Sequence, residues 1–381
     1  FGQSVGGVEQ HIYHIGLQLA RLGKVITILS LQIGEADSRK VEVIFQEEGS
    51  VTVIKIVRKN IFSKGLGFLE KKVPGHLGMF VAFIGKLLPN LYFRELKREV
   101  EDLSPDIIHQ HDYLASIVVS KIFSKSIPVV FTNHTGQYLF LEKTSFSRYI
   151  QRGLISHYAA IIGPSLELTP KNDRSYYISN GVDLDFYSGE KSTKSFGDKT
   201  VFICPRRWAP TKGVKYLAEA MNQIPDEYKD KILVLFAGSD SDDYPWYSNQ
   251  VLAQLQKLPL EMYRLLGNLS QADLRYYFLK SDIVVIPSLM EATSLAAMEG
   301  MACGLPVLST NVGGMPAVIQ DYLTGWLIPP ENSEAIAEVM IMAVDKKFCL
   351  ETMGMNAASF VRENKSWVSI AGRVSEVYDS I

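Results

Sequence analysis

The chain has 381 residues, enough for two domains that each bury a core of their own. Its 47% hydrophobic and 21% charged residues describe a folded globular protein, and a net charge of −2 argues against a general nucleic-acid binder. Three widely spaced cysteines (Cys204, Cys303, Cys349) fit neither a disulfide framework nor a zinc site and point to a reducing, cytoplasmic setting. No run approaches the ~20 apolar residues that cross a bilayer as a helix.

In chain order, F-G-Q-S-V-G-G-V-E-Q-H-I reads as a loop entering a helix. An α/β domain should open with a buried strand, and none precedes Ser4–Gly7, so the first strand is expected to be missing. Ile12, Ile15, Leu17, Leu19 and Ala20 give the helix an apolar face, Gly23 ends it, and Val25 to Leu29 reads as a strand. Two short strands follow between Val41 and Val57.

Residues 51–100 carry ten Lys/Arg against three Asp/Glu, interleaved with Phe62, Phe68, Phe80 and Phe83. That composition suits a solvated helix packed on a sheet. It also suits peripheral contact of residues 55–100 with an anionic membrane.

Pro105 to His111 reads as a strand ending in two histidines, and Ile127 to Thr132 as a strand running into Asn133–His134–Thr135–Gly136. Ligands in open α/β sheets bind where such strands end. His109 and His111 have the spacing that points two side chains the same way. No nearby carboxylate or cysteine completes a metal set, so no metal is expected there. Ala159 to Pro164 and Tyr176 to Ile178 read as further strands before the turn Asn180–Gly181–Val182–Asp183. The polar run Ser188 to Thr200 has linker composition and marks the domain boundary.

The second half opens with the strand Val201 to Cys204 and the basic loop Pro205–Arg206–Arg207–Trp208–Ala209–Pro210–Thr211–Lys212–Gly213. Ile232 to Phe236 is a strand leading to Ala237–Gly238. Asp240 to Asp243 lacks a D-x-D context and reads as a solvated turn. The apolar run Ile283 to Ile286 precedes the stretch around which the chain is organised, Pro287 to Gly314. Glu291 and Glu299 stand eight positions apart there, a spacing that suits one side of a helix start. Thr293, Ser294 and Leu295 lie where a helix N-terminus would offer free N–H groups to a phosphate. Leu305 to Leu308 reads as the next buried strand, and Trp367 to Ile381 as an amphipathic tail.

E-x7-E, followed by E-G-M-A-C-G-L-P-V and a later G-G, resembles the donor site of retaining GT-B glycosyltransferases of the GT4 family. Arg207 and Lys212 match that family's G-R-x-x-x-x-K-G, with Arg206 where Gly is usual; Glu291–Ala292–Thr293–Ser294 stands where E-G-F-G is usual. N-G-V-D at Asn180 resembles the family's inter-domain junction, and Gly6–Gly7 its loop near the donor diphosphate.

The resemblance implies an α/β GT-B fold of two Rossmann-like domains facing across a cleft. These would be residues 1–187, completed by a tail at 365–381, and residues 188–364. It implies a nucleotide-sugar donor (UDP or GDP), a glycan or lipid-linked hydroxyl acceptor, retention at the anomeric carbon, and no cofactor or metal. Arg207, Lys212, Gly7 and the Thr293, Ser294 and Leu295 segment would serve the diphosphate, and Glu299 the ribose. Asn268 and Leu269 would line the base pocket, Glu291 would hold the sugar hydroxyls, and His134 would line the sugar pocket. A non-catalytic nucleotide-sugar scaffold and a GT-B epimerase would share the architecture. The absent G-x-G-x-x-G disfavours a nicotinamide enzyme.

Overall fold

The structure is a computed structural model that describes residues 7–34, 36–59, 91–112, 115–134, 149, 152–189, 196–240, 244–346 and 348–381. The chain divides into two compact units, residues 1–178 with 370–381, and residues 179–369. By compactness residues 179–187 and 365–369 group with the second unit. The reason is local pairing: the Val182 N–H donates to the Lys365 carbonyl at 2.8 Å, the Lys365 ammonium donates to Ser179, and Gly181 lies against the Trp367 ring.

In the first unit, α1 (Gly7–Arg21) packs on a sheet ordered β1 (Val25–Gly34), β3 (Ser50–Lys59), β2 (Ser38–Gln46). Alternating strands and helices imply parallel pairing, and β1–β3 is parallel, but β2–β3 is antiparallel. Only Glu47 to Gly49 separate those two strands, too few for the crossover that a parallel pair requires. A second sheet, β4 (Ile108–Gln110), β5 (Val129–Thr132), β6 (Ala160–Gly163) and β7 (Ser175–Tyr177), is parallel throughout. The helices α2 (Phe93–Leu103) and α3 (Ile117–Phe123) bury Leu96, Val100, Val119 and Phe123 against Leu29 and Leu31 of β1 and Ile108 of β4. Most of the basic segment, residues 60–90, lies outside the described residues.

The second unit is a six-stranded parallel sheet in the order β10 (Tyr263–Leu265), β9 (Ile232–Phe236), β8 (Thr200–Cys204), β11 (Ile283–Ile286), β12 (Val307–Thr310), β13 (Gly325–Ile328). Its central strands are continuous apolar runs because both faces are covered. Phe202, Val234, Phe236, Ile283 and Val285 face α4 (Val214–Asn222), α5 (Pro245–Leu255) and, further on, the helix Ser333–Val344. Ile203, Leu233, Leu235, Val284 and Ile286 face α6 (Gln271–Phe278), α7 (Leu295–Ala302) and the helix Leu350–Asn364. This alternation is the period of two that a strand imposes. The order reverses beside β8, which places the β8 and β11 loops at the switch point of the sheet. Among the described residues no helix is long and apolar enough to cross a membrane.

Candidate functional site

The loops that leave the carboxyl ends of β8, β11 and β12 interlock. The Leu289 N–H donates to the Thr211 carbonyl at 2.9 Å. Gly213 has φ of 64°, and a Cβ there would lie 1.8 Å from the Pro287 carbonyl. From the other side, Gly313 has φ of 54°, and its Cβ would lie 1.7 Å from the carbonyl of Glu291. Only glycine meets both requirements, left-handed backbone and backbone contact, so the later G-G fixes the peptide of Glu291.

The E-x7-E spacing places both glutamates beside one helix start, but not on one helix. The helix α7 begins at Leu295, leaving Glu291 in the loop before it. Ser294 is the N-cap: its hydroxyl accepts from the Ala297 N–H at 3.3 Å. That leaves the first N–H groups of α7 at the loop end, where an anion is favoured. The Asn180 side chain donates to the Thr293 carbonyl at 3.3 Å, which gives the N-G-V-D motif a positioning role in this loop. Sequence reasoning had assigned that motif only to the junction.

Glu291 is the electrostatic centre. Its carboxylate accepts from the Lys212 ammonium at 2.9 Å and from the Arg206 guanidinium. Arg206 also donates to the Ser294 hydroxyl at 3.3 Å. Glu291 and Arg206 side chains are 11% and 10% exposed and Lys212 is 25%, so solvent screens the group only in part. Burial works against the Glu291 carboxylate, but Arg206 and Lys212 outweigh it and hold its pKa below the usual range. Burial and then Arg206 lower that of Lys212, with Glu291 opposing them.

The structure brings Lys212 to Glu291, and the arginine that joins them is Arg206. Arg207 is exposed. Adjacent residues in an extended loop point to opposite sides, and the carbonyl of Arg206 backs on Gly238, which fixes which one turns inward. The signal available in sequence was the departure itself, an arginine where glycine is usual.

Glu299 lies one turn into α7, where burial raises its pKa to about 7, with Tyr187 and then Arg206 pulling it down. The exposed Asn268 side chain accepts from the Ser239 N–H at 3.2 Å, tying the β10 and β9 loops together, and Leu269 is half-buried against the core.

In the first unit, the ends of β4 and β5 carry a cluster of histidines. His109 is held at both ring nitrogens, by Tyr378 at 2.5 Å and by Thr132 at 2.7 Å. His111 follows it with ring centroids 4.1 Å apart, and His111 Nδ1 is 3.1 Å from His134 Nε2. The buried His11 of α1 completes the group, 4.7 Å from the His134 ring. Burial lowers the pKa of His109 to about 3 and holds His111 and His134 well below the usual imidazole value, each lowered further by the neighbouring histidines. The expectation of no metal set rested on the lack of a nearby carboxylate or cysteine; in the structure, histidines from three separate segments meet instead. Gly7 is the first residue of α1.

Strand–helix units with parallel pairing in the first half, and a doubly wound six-stranded sheet with cation-bearing and helix-start loops at its switch point in the second, fit a GT-B fold. HepE from Anabaena, solved in complex with UDP, matches at a TM-score of 0.74 with 19% identity, covering 100% of this chain and 98% of that one. Residues 5–186 match Glycosyltransferase Family 4 and residues 189–360 match Glycosyl transferases group 1; the chain belongs to this family of glycosyltransferases. A glycosyltransferase of Methanocaldococcus jannaschii is 27% identical over 75% of this chain and 78% of its own length. The gpi3 subunit of phosphatidylinositol N-acetylglucosaminyltransferase from Schizosaccharomyces pombe is 24% identical over 99% of this chain and 78% of its own.

Proposed function

We propose that this glycosyltransferase takes a nucleotide-diphosphate sugar, with UDP or GDP as the nucleotide, and transfers the sugar to a hydroxyl with retention. The observation that carries the reading is the Glu291 carboxylate held between Lys212 and Arg206 beside the capped start of α7. Two partly buried cations and helix-start N–H groups suit a diphosphate, and they neutralise the charge that develops on it as the sugar departs. No divalent ion is needed at that position. The Glu291 carboxylate lies between the two cations; on donor binding the diphosphate takes the cations and Glu291 turns to the sugar hydroxyls. Arg207 is the outer cation of the same loop.

Glu299 accepts from the ribose hydroxyls, and the backbone at Asn268 and Leu269 meets the base. In the first unit, His134 serves the sugar and Gly7 the approach to the diphosphate. The leaving phosphate accepts the proton of the attacking hydroxyl on the same face, with no covalent intermediate on the enzyme.

A UDP complex of a protein of the same fold supports the donor class. A relative named for transfer to phosphatidylinositol supports a lipid-linked acceptor, with a glycan as the other choice. The proposed setting is cytoplasmic, with residues 55–100 touching anionic membrane. Incubation with UDP- and GDP-sugars and candidate acceptors, followed by NMR of the product's anomeric carbon, tests the reaction. An α-linked product from an α-linked donor agrees with it. A β-linked product rejects retention.

A further inference from the structure

We infer that His111 is a positioning residue for His134: it holds that imidazole as the Nε2–H tautomer, so that Nδ1 offers its lone pair to a hydroxyl of the donor sugar. The inference rests on the proposed place of His134 beside that sugar and says what His134 does there. β4 and β5 are parallel neighbours in register at Gln110 and Phe131, so the residues that follow them emerge side by side. His111 Nδ1 lies 3.1 Å from His134 Nε2, with ring planes 20° apart and centroids 5.4 Å apart. That separation is close to the largest that two imidazoles can have with nitrogens in such contact. Each nitrogen therefore points at the other in its own ring plane, the geometry of a hydrogen bond and not of a stack.

Burial and the neighbouring histidines keep both rings neutral, so one nitrogen of the pair carries a proton and the other a lone pair. Two arrangements satisfy the bond: both rings are Nδ1–H tautomers, or both are Nε2–H tautomers. The Nε2–H form is the intrinsically favoured one for a neutral histidine side chain, so the second arrangement holds. His134 then donates to His111 through Nε2 and keeps a lone pair at Nδ1, an acceptor for a sugar hydroxyl. His109 steadies the pair from behind. Tyr378 and Thr132 engage both of its nitrogens, and its ring centroid lies 4.1 Å from that of His111, which limits how His111 can turn.

The test labels the histidine rings of the full chain with ¹⁵N and reads two-bond ¹H–¹⁵N correlations near neutral pH, which separate the two tautomers of a neutral imidazole. The His134 and His111 signals are assigned by their loss in His134→Gln and His111→Asn. The expected pattern is His134 protonated at Nε2 alone, and in His111→Leu an average of both tautomers. Calorimetry with UDP-glucose against UDP, and with GDP-glucose against GDP, reads the contact to the sugar. His111→Leu should weaken the sugar nucleotide by about three- to tenfold and leave the free nucleotide unchanged. His111→Asn, whose carboxamide oxygen can stand where Nδ1 stood, should restore most of that affinity, which a mere loss of packing would not allow. Circular dichroism establishes that each variant is folded, with His111→Phe, a ring without an acceptor, replacing a leucine variant that is not. His134 protonated at Nδ1, an unchanged pattern or affinity in His111→Leu, or an equal loss in the leucine and asparagine variants overturns the inference. A parent that binds no sugar nucleotide rejects the donor reading and the sugar contact with it, whereas binding with the other tautomer rejects the role of His111 alone.

Discussion

Replacing Glu291 by glutamine removes one negative charge and almost no volume, leaving Lys212 and Arg206 facing each other across a partly buried loop. Breaking a fully buried ion pair from one side costs about 3–5 kcal/mol. Here Lys212 is 25% exposed and Arg206 10%, so screening reduces the loss, to roughly 2–3 kcal/mol. For a unit spanning residues 179–369, that lowers Tm by about 4–12 °C. The account adds a second, less ordinary expectation. If the diphosphate takes the place that the carboxylate holds between the two cations, as proposed, UDP or GDP should stabilise Glu291→Gln more than the parent and close much of the gap. Sugar transfer should be lost all the same. Differential scanning fluorimetry with and without nucleotide reads both effects. A variant as stable as the parent, or one whose deficit the nucleotide leaves unchanged, would refute the reasoning.

Three further expectations follow from the same loops. Gly313→Ala combines left-handed backbone with a Cβ 1.7 Å from the Glu291 carbonyl, so it should cost at least ~3 kcal/mol and impair donor binding; a Tm within about 2 °C of the parent contradicts the glycine argument. Glu299 has a pKa of about 7 in the empty protein against 4.5 for an ordinary glutamate, so folding favours its protonated form and its contribution to stability falls as pH rises from 4.5 to 7. The proposed ribose contact selects the carboxylate, so nucleotide affinity should move the other way: about tenfold weaker at pH 6 than on a plateau above pH 7, with proton release on binding. That slope should vanish in Glu299→Gln, and its persistence there would assign it elsewhere. Arg206→Gly should weaken UDP binding about tenfold or more and lower Tm, whereas Arg207→Ala, altering an exposed side chain, should leave Tm within about 1 °C; the reverse order would place the wrong arginine in the site.

Much of the second unit was legible in the chain. The runs at Val201, Ile232 and Ile283 are buried on both sides and read as strands without ambiguity. Gly300 and the G-G at Gly313 announce close approach, and the structure puts the Val284 side chain against Gly300 and the backbone of Glu291 and Ala292 against Gly313 and Gly314. The phase of a loop was not legible. The departure at Arg206 marks the loop, but it does not say which arginine turns inward, because that depends on the contact between the Arg206 carbonyl and Gly238 further along the chain. The spacing of Glu291 and Glu299 likewise gave their proximity to a helix start but not the position of its cap. In the first unit, His109 and His111 signalled one another through their spacing. His11 and His134 joined them only through the packing of α1 and the pairing of β4 with β5. The boundary at residue 187 followed composition, whereas the grouping of residues 179–187 with the second unit follows the pairing of Val182 with Lys365, which composition does not record.

The most direct measurement is calorimetric titration of the full chain with UDP- and GDP-sugars without added divalent metal, in parallel with Lys212→Ala. Saturable binding of one nucleotide class, weakened by at least tenfold in the variant, is the predicted result. A folded protein that binds neither class, or binds one equally well without the Lys212 ammonium, would contradict the placement of the donor diphosphate between the β8 loop and α7.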